Sequence, residues 1–250
     1  MLASVKFKAL LFVALLIFFI IVRLPMAFVL GRIDPQSGLI WSGVSGTVWN
    51  SNITGLRYHQ YDIGDARVRL KFLPLLRGHA SVIFDLTGPA LTATGQATIT
   101  RSHQLTLRDT NIDIELGGYD IRDAFGQKMF GEVSTNISLI EVSPTGCRSG
   151  QFNYETTALR ESLKRFDQDG FDLLGEGGCE NNNLVIPLAG SNGQTKIAIN
   201  TVIEPNLTYT AHVVIETPDQ QIAQALRTFR FVDQGGRLVL TQRGNFITNP

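Results

Sequence analysis

Beyond residue 30 the chain changes polarity at every second residue over most of its length. Successive side chains of an extended chain point to opposite sides of the pleat, so this alternation specifies strands with one apolar and one wetted face. Ala66, Val68, Leu70 and Phe72 alternate with Arg67, Arg69 and Lys71, and Leu91, Ala93, Gly95, Ala97 and Ile99 with Thr92, Thr94, Gln96, Thr98 and Thr100. The pattern returns at Ile112, Ile114 and Leu116, at Val133, Thr135, Ile137 and Leu139, at Ile197, Ile199, Thr201 and Ile203, and at Leu207, Tyr209, Ala211, Val213 and Ile215. Turn-forming pairs such as Gly88-Pro89, Gly117-Gly118, Ser143-Pro144, Pro205-Asn206 and Gly235-Gly236 separate the runs. Connections this short favour antiparallel neighbours and a meander.

Only two stretches of this part have helical spacing. Ala158, Leu159, Leu163 and Phe166 form one stripe; Ile222, Ala225, Leu226 and Phe229 form another, with Thr217 as its expected N-cap and Pro218 at the first helical position. Two short helices cannot cover so many one-sided strands. The sheet therefore either closes into a sandwich or barrel with a dry core, or stays open as a trough that offers its apolar side to an acyl chain or a partner. Val68, Leu70, Phe72, Val82, Phe84 and Leu86 are core residues in the first case and ligand-facing in the second.

Residues 9–22 carry no polar side chain, and apolar character resumes after Arg23 as far as Leu30. This reads as a transmembrane signal anchor over 9–30, with residues 1–8 on the cytoplasmic side and Arg23 reaching the headgroups on its long stem. A cleaved signal peptide competes, but Pro25-Met26-Ala27 is a poor match to a small-x-small cleavage site. Lys6 and Lys8 are nearly balanced by Arg23 and Arg32, so flanking charge alone does not orient the segment. Cys147 and Cys179, the only cysteines, lack zinc-site spacing; they are either bridged, which requires an oxidising compartment, or two buried thiols. A bridge and a translocated C-terminal part support each other.

Chemistry-bearing motifs are scarce. Formal net charge is zero without a basic block, which argues against a nucleic-acid partner. His59, His79, His103 and His212 are scattered and read as solvated strand residues, so neither metal nor cofactor is expected. No nucleophile elbow or phosphate cradle occurs, and acidic pairs such as Asp113 and Glu115 sit where solvent exposure alone would place them. A non-enzymatic role is expected.

Three stretches, taken in order, resemble a known family. Gly43-Val44-Ser45-Gly46-Thr47-Val48-Trp49 is similar to the GxxGTVW segment that opens the periplasmic part of protein N of the bacterial type II secretion system. Leu73-Pro74-Leu75-Leu76-Arg77-Gly78, followed by a strand through Val82, Phe84 and Leu86, resembles that family's PLxLLxG segment. The cysteine pair and the closing Gly235-Gly236-Arg237-Leu238 and Gly244 fit its order. At Asn50-Ser51-Asn52 the chain departs from the family, which more often turns on glycine there. Glycines at a strand start, with Trp41 and Trp49 near a membrane interface, are a plainer reading of the first motif.

The resemblance implies a single-pass protein of the bacterial inner membrane, N-terminus cytoplasmic, with a periplasmic β-rich domain over 31–250. Other type II secretion subunits would be its partners in exporting folded proteins across the outer membrane. It also implies kinship with AsmA-like proteins, whose curved sheets hold lipid, so phospholipid acyl chains are the alternative ligand. The expected fold is mainly β: an N-terminal transmembrane helix, then a curved, mostly antiparallel sheet with two short helices.

Overall fold

The computed structural model describes residues 2–34, 37–122, 126–164 and 169–245, with the backbone alone for residues 2–9 and 14. Fifteen strands among the described residues form one antiparallel sheet whose order is β1-β3-β4-β5-β6-β7-β8-β9-β10-β11-β12-β13-β15-β14, with β2 also on β3. In chain order these are β1 (Leu39–Ile40), β2 (Gly43–Thr47), β3 (Asn50–Tyr58), β4 (Tyr61–Leu70), β5 (Ala80–Thr87), β6 (Leu91–Ile99), β7 (Leu105–Glu115) and β8 (Glu132–Ser143). There follow β9 (Gly146–Thr156), β10 (Leu173–Glu180), β11 (Asn183–Ser191), β12 (Lys196–Ile203), β13 (Thr208–Glu216), β14 (Val232–Gln234) and β15 (Arg237–Asn245). Its two ends do not pair, so the sheet is open; the closed sandwich or barrel is not what forms.

Register carries one apolar face across the whole sheet. Leu70, Val68 and Ala66 stand opposite Val82, Phe84 and Leu86, which in turn oppose Ala97, Gly95 and Ala93. The face continues through Ile137 and Phe152 to Leu188, Ile199, Val213 and Leu240. Bulges keep it continuous where the sequence would break it. Between β6 and β7 the register shifts at Gly95, with Asp109 of β7 at φ 45°. Between β8 and β9 it shifts between Ile137 and Leu139. The second shift corrects the simple alternation: Leu139 opposes Arg108 on the polar face, and the buried Ile140 opposes Leu107 on the apolar one.

Other expectations are corrected at strand ends. Phe72 lies outside the strand and opens α3 (Phe72–Leu76), a helix the spacing does not announce. Pro74 is tolerated there because amides in the first turn have no helical acceptor to lose. Leu207 is a turn residue at φ 62°. Only His212 is a strand residue; His59 and His103 occupy positive-φ turn positions and His79 precedes β5.

The helices cap the ends of the apolar face. α1 (Leu2–Val22) stops before Pro25, whose ring disfavours helix at Leu24, and α2 (Met26–Leu30) is a separate helix. Leu30 of α2 is buried with Ile53 and Ala66, and Trp41 packs on the same cluster, so Trp41 belongs to the sheet's core. At the far end, α5 (Gln220–Thr228) buries Ala223 with Ile215 and Leu238. Its N-cap is Asp219, which accepts from the amides of Gln221 and Ile222, in place of the expected Thr217; Ala225, read as part of the stripe, is exposed. α4 (Ala158–Lys164) covers the first expected helix, while Phe166 lies outside the described residues. Among the described residues no helix is long and apolar enough to cross a membrane.

Candidate functional site

Three surfaces carry the residues singled out above. The first is the apolar face between α2 and α5. Val68, Leu70, Val82, Phe84 and Leu86 share it and remain half-buried. Phe72 does not belong to this group.

In mid-sheet the face is built around a proline. Pro187 has no amide to donate, and the β10–β11 ladder is interrupted beside it between Leu174↔Ala189 and Gly178↔Val185. Tyr154 of β9 reaches across Gly175 of β10, and its hydroxyl donates to the Pro187 carbonyl. Gly175 makes this possible, since a Cβ there would overlap both the Pro187 oxygen and the Tyr154 ring. Burial pushes the Tyr154 phenol up to about 12. Beside this element the Cys147–Cys179 disulfide joins β9 to β10 with a Cα–Cα distance of 5.4 Å, and Cys147 is buried with Ile137, Ile140 and Phe152.

The second surface lies on the opposite, polar face. Asn111, Asn136, Asn153 and Glu176 stand side by side on β7 to β10, and Asn136 donates its amide to Asn111. With Asp113, Ser134 and Glu155 they line a groove of about 570 Å³. Around Lys71 the same face is knitted together: its ammonium donates to Gln96 (2.6 Å), and Gln96 and Thr98 donate to the fully buried Ser81.

The third is the seam between the N-terminal helices and the sheet. The β2–β3 turn is Val48-Trp49 itself, so Asn50-Ser51-Asn52 are strand residues. Gly46, at φ 88°, passes close to the Asn50 carbonyl, an approach that excludes a Cβ. Thr47 bridges to Pro25, the Val48 amide donates to the Leu24 carbonyl (3.0 Å), and the Trp49 indole donates to the Ile21 carbonyl (3.0 Å). The motif of Gly43, Gly46, Thr47, Val48 and Trp49 thus grips the end of α1: the indole shares the Ile21 carbonyl with the Leu24 amide, and the Val48 amide takes the carbonyl of Leu24, just past the helix. Sequence reasoning missed this role, along with Tyr154 and Pro187. Only the proline within an alternating run could have signalled them.

A family model described as type II secretion system (T2SS), protein N matches residues 37–241. The chain belongs to the type II secretion system protein N family. No curated protein and no solved structure matches it. The matched span runs from just before β1 into β15 and takes in the seam motif, α3 and the disulfide. It is a component of type II secretion by family, and the partners that follow from the family are other secretion subunits.

The sheet's two ends differ in how their outer strands are covered. At the first end the outer side of β3 is occupied by β1 and β2, and β2 is tied to the N-terminal helices. At the other end β14 pairs with only Arg237, Leu238 and Val239 of β15. Residues 240–244 carry no outer strand among the described residues. The hairpin is pinned to α5 through Arg227 and Asp233 (2.7 Å); that bond and the Gly236 amide hold the Asp233 carboxyl below its usual range.

Proposed function

We propose that this protein is a non-enzymatic accessory component of the type II secretion machinery, held in the bacterial inner membrane by α1 with its β-domain in the periplasm. Family membership over residues 37–241 carries the reading. A disulfide suits an oxidising compartment. The 14 residues 9–22, none with a polar side chain, extend about 21 Å along α1, a large part of a bilayer core of about 30 Å. The described side chains of α1 from Leu10 to Val22 are exposed apolar residues. In the proposed arrangement residues 1–8 stay on the cytoplasmic side and the apolar stretch that starts at residue 9 lies in the bilayer.

Binding to another subunit proceeds by strand addition at the outer side of β15, where backbone groups at residues 240–244 supply affinity and alternate side chains supply selectivity. Thr241→Lys with Gln242→Lys places two more cations beside the exposed Arg243 on this edge. These surface changes are expected to alter stability by no more than about 0.5 kcal/mol. Export of a folded secreted protein should fall in this variant as it does on deletion of the gene. Unchanged export in the deletion strain removes the secretion role; loss in the deletion but not in the variant removes the edge.

The half-buried apolar stretch around Val82 and Phe84, on the face of an open sheet, favours a second reading, an AsmA-like module that holds phospholipid acyl chains. Native mass spectrometry of gently extracted protein is expected to show bound phospholipid if this is so. Stoichiometrically lipid-free protein refutes it.

A further inference from the structure

We infer that α3 and the Trp49 turn form a foot that lies in the headgroup region of the bilayer beside α1, docking the first strands of the sheet on an anionic lipid surface. The inference rests on the reading of α1 as a membrane anchor and adds a second contact with the same membrane. The Trp49 indole is bonded to the last turn of α1, and its ring packs edge-on against Phe72 at 5.5 Å between centroids. Phe72 is the first residue of α3, so this helix is fixed within a few ångströms of the level at which α1 ends.

What α3 presents at that level is unusual for a water-exposed turn. Leu73 is 73% exposed, Leu76 is 70% exposed and Phe72 is 51% exposed, and none of its residues is buried. A helix packed on its own protein would bury one side. Residues 71–79 contain no acid and include Lys71, Arg77 and His79. Arg101, from the turn after β6, lays its guanidinium over Gly78, bringing another cation to the same place. Exposed leucines, a tryptophan at the boundary and flanking arginines suit an interface whose acyl margin takes the apolar groups while anionic headgroups face the cations. Headgroup regions are about 5–7 Å deep on each side of the core, so a single-turn helix beside the end of α1 is already within one. Lys71 is committed elsewhere, bonded to Gln96 on the polar face, which leaves Arg77 and Arg101 as the lipid-facing cations.

The test uses the full chain reconstituted in vesicles of phosphatidylethanolamine and phosphatidylglycerol with brominated acyl chains. Trp41→Phe and Trp49→Phe remove the two native tryptophans. Leu76→Trp is then compared with Val232→Trp, at a 60% exposed site on β14. β14 lies ten strand steps from β5, the strand that α3 leads into, roughly 50 Å along the sheet at the usual spacing. Emission from position 76 is expected to fall by roughly half, as for a group buried several ångströms into the boundary, while position 232 stays unquenched. A Trp41→Phe variant that keeps the Trp49 hydrogen bond should be quenched as well. An alkaline wash separates the two readings. Protein that stays with the membrane while position 76 is no more quenched than 232, and while Trp49 of the Trp41→Phe variant is equally unquenched, overturns the foot and leaves the anchor standing; protein washed free overturns the anchor. Position 76 shielded from aqueous acrylamide but not quenched by bromolipid assigns α3 to a protein partner and also overturns the foot.

Discussion

Replacing Cys147 by serine is expected to lower the unfolding free energy by about 3–4 kcal/mol and the melting temperature by roughly 10 °C for a domain of this size. The bridge closes a separation of 32 residues, a stretch that holds α4 and the connection from β9 to β10. Without it the unfolded chain regains the freedom of that loop, while the folded chain keeps its ladder between the same two strands. Cys147 is also buried among apolar side chains, so the serine hydroxyl adds a desolvation cost. Cys179→Ser should match it closely, and the double variant should be little worse than either, because both remove the same bond. Membrane attachment should not change. Equal melting curves for oxidised wild type and Cys147→Ser would falsify this account.

Gly175→Ala is the second large effect, at about 3 kcal/mol or more. The added methyl has no free direction: β10 lies between β9 and β11, and the space above Gly175 is filled by the Tyr154 ring on its way to the Pro187 carbonyl. Either the strands separate or Tyr154 swings away, and the second outcome leaves a carbonyl that has already lost its ladder partner unsatisfied. Urea denaturation measures the loss, and phenol titration shows its origin. In the wild type Tyr154 ionises near 12, above the ordinary 10, because burial disfavours the phenolate. A raised folded-state value means that the neutral phenol stabilises the fold below pH 10 and that this contribution disappears as the pH rises through about 12. In Gly175→Ala the delayed step should move back toward 10 and stability should lose that alkaline dependence. A variant as stable as wild type with an unmoved phenol would show that the bond does not depend on the glycine.

Most strands were legible because a half-buried ribbon leaves period-two polarity in its sequence, and the runs through Val68, Ala93, Ile112 and Ile199 lie as that polarity places them. Errors fall where another cause decides the backbone. Leu139 fits either face by hydrophobicity, and the shift beside it depends on how β9 pairs. Phe72 continues an alternating pattern but is recruited by α3 and by the Trp49 ring. Asp219 outcompetes Thr217 as a cap because its carboxylate reaches both free amides, while Thr217 accepts from Asp219 itself. Closure of the sheet was undecidable from polarity, since an open trough and a barrel require the same alternation. At the candidate surfaces, the Gly46-Thr47-Val48-Trp49 motif could be located but not understood, because its partners are main-chain carbonyls of Ile21 and Leu24 whose positions depend on where α1 ends.

The order of pairing also bears on how the chain acquires its structure. From β3 to β13 each ribbon joins the one made just before it, so none must wait for a segment synthesised much later. Contacts close in sequence form quickly, which allows the sheet to grow like a zip from its amino-terminal side as the polypeptide emerges. Until the final hairpin arrives, the growing front always offers a raw margin, and a nascent molecule is most vulnerable to mispairing there.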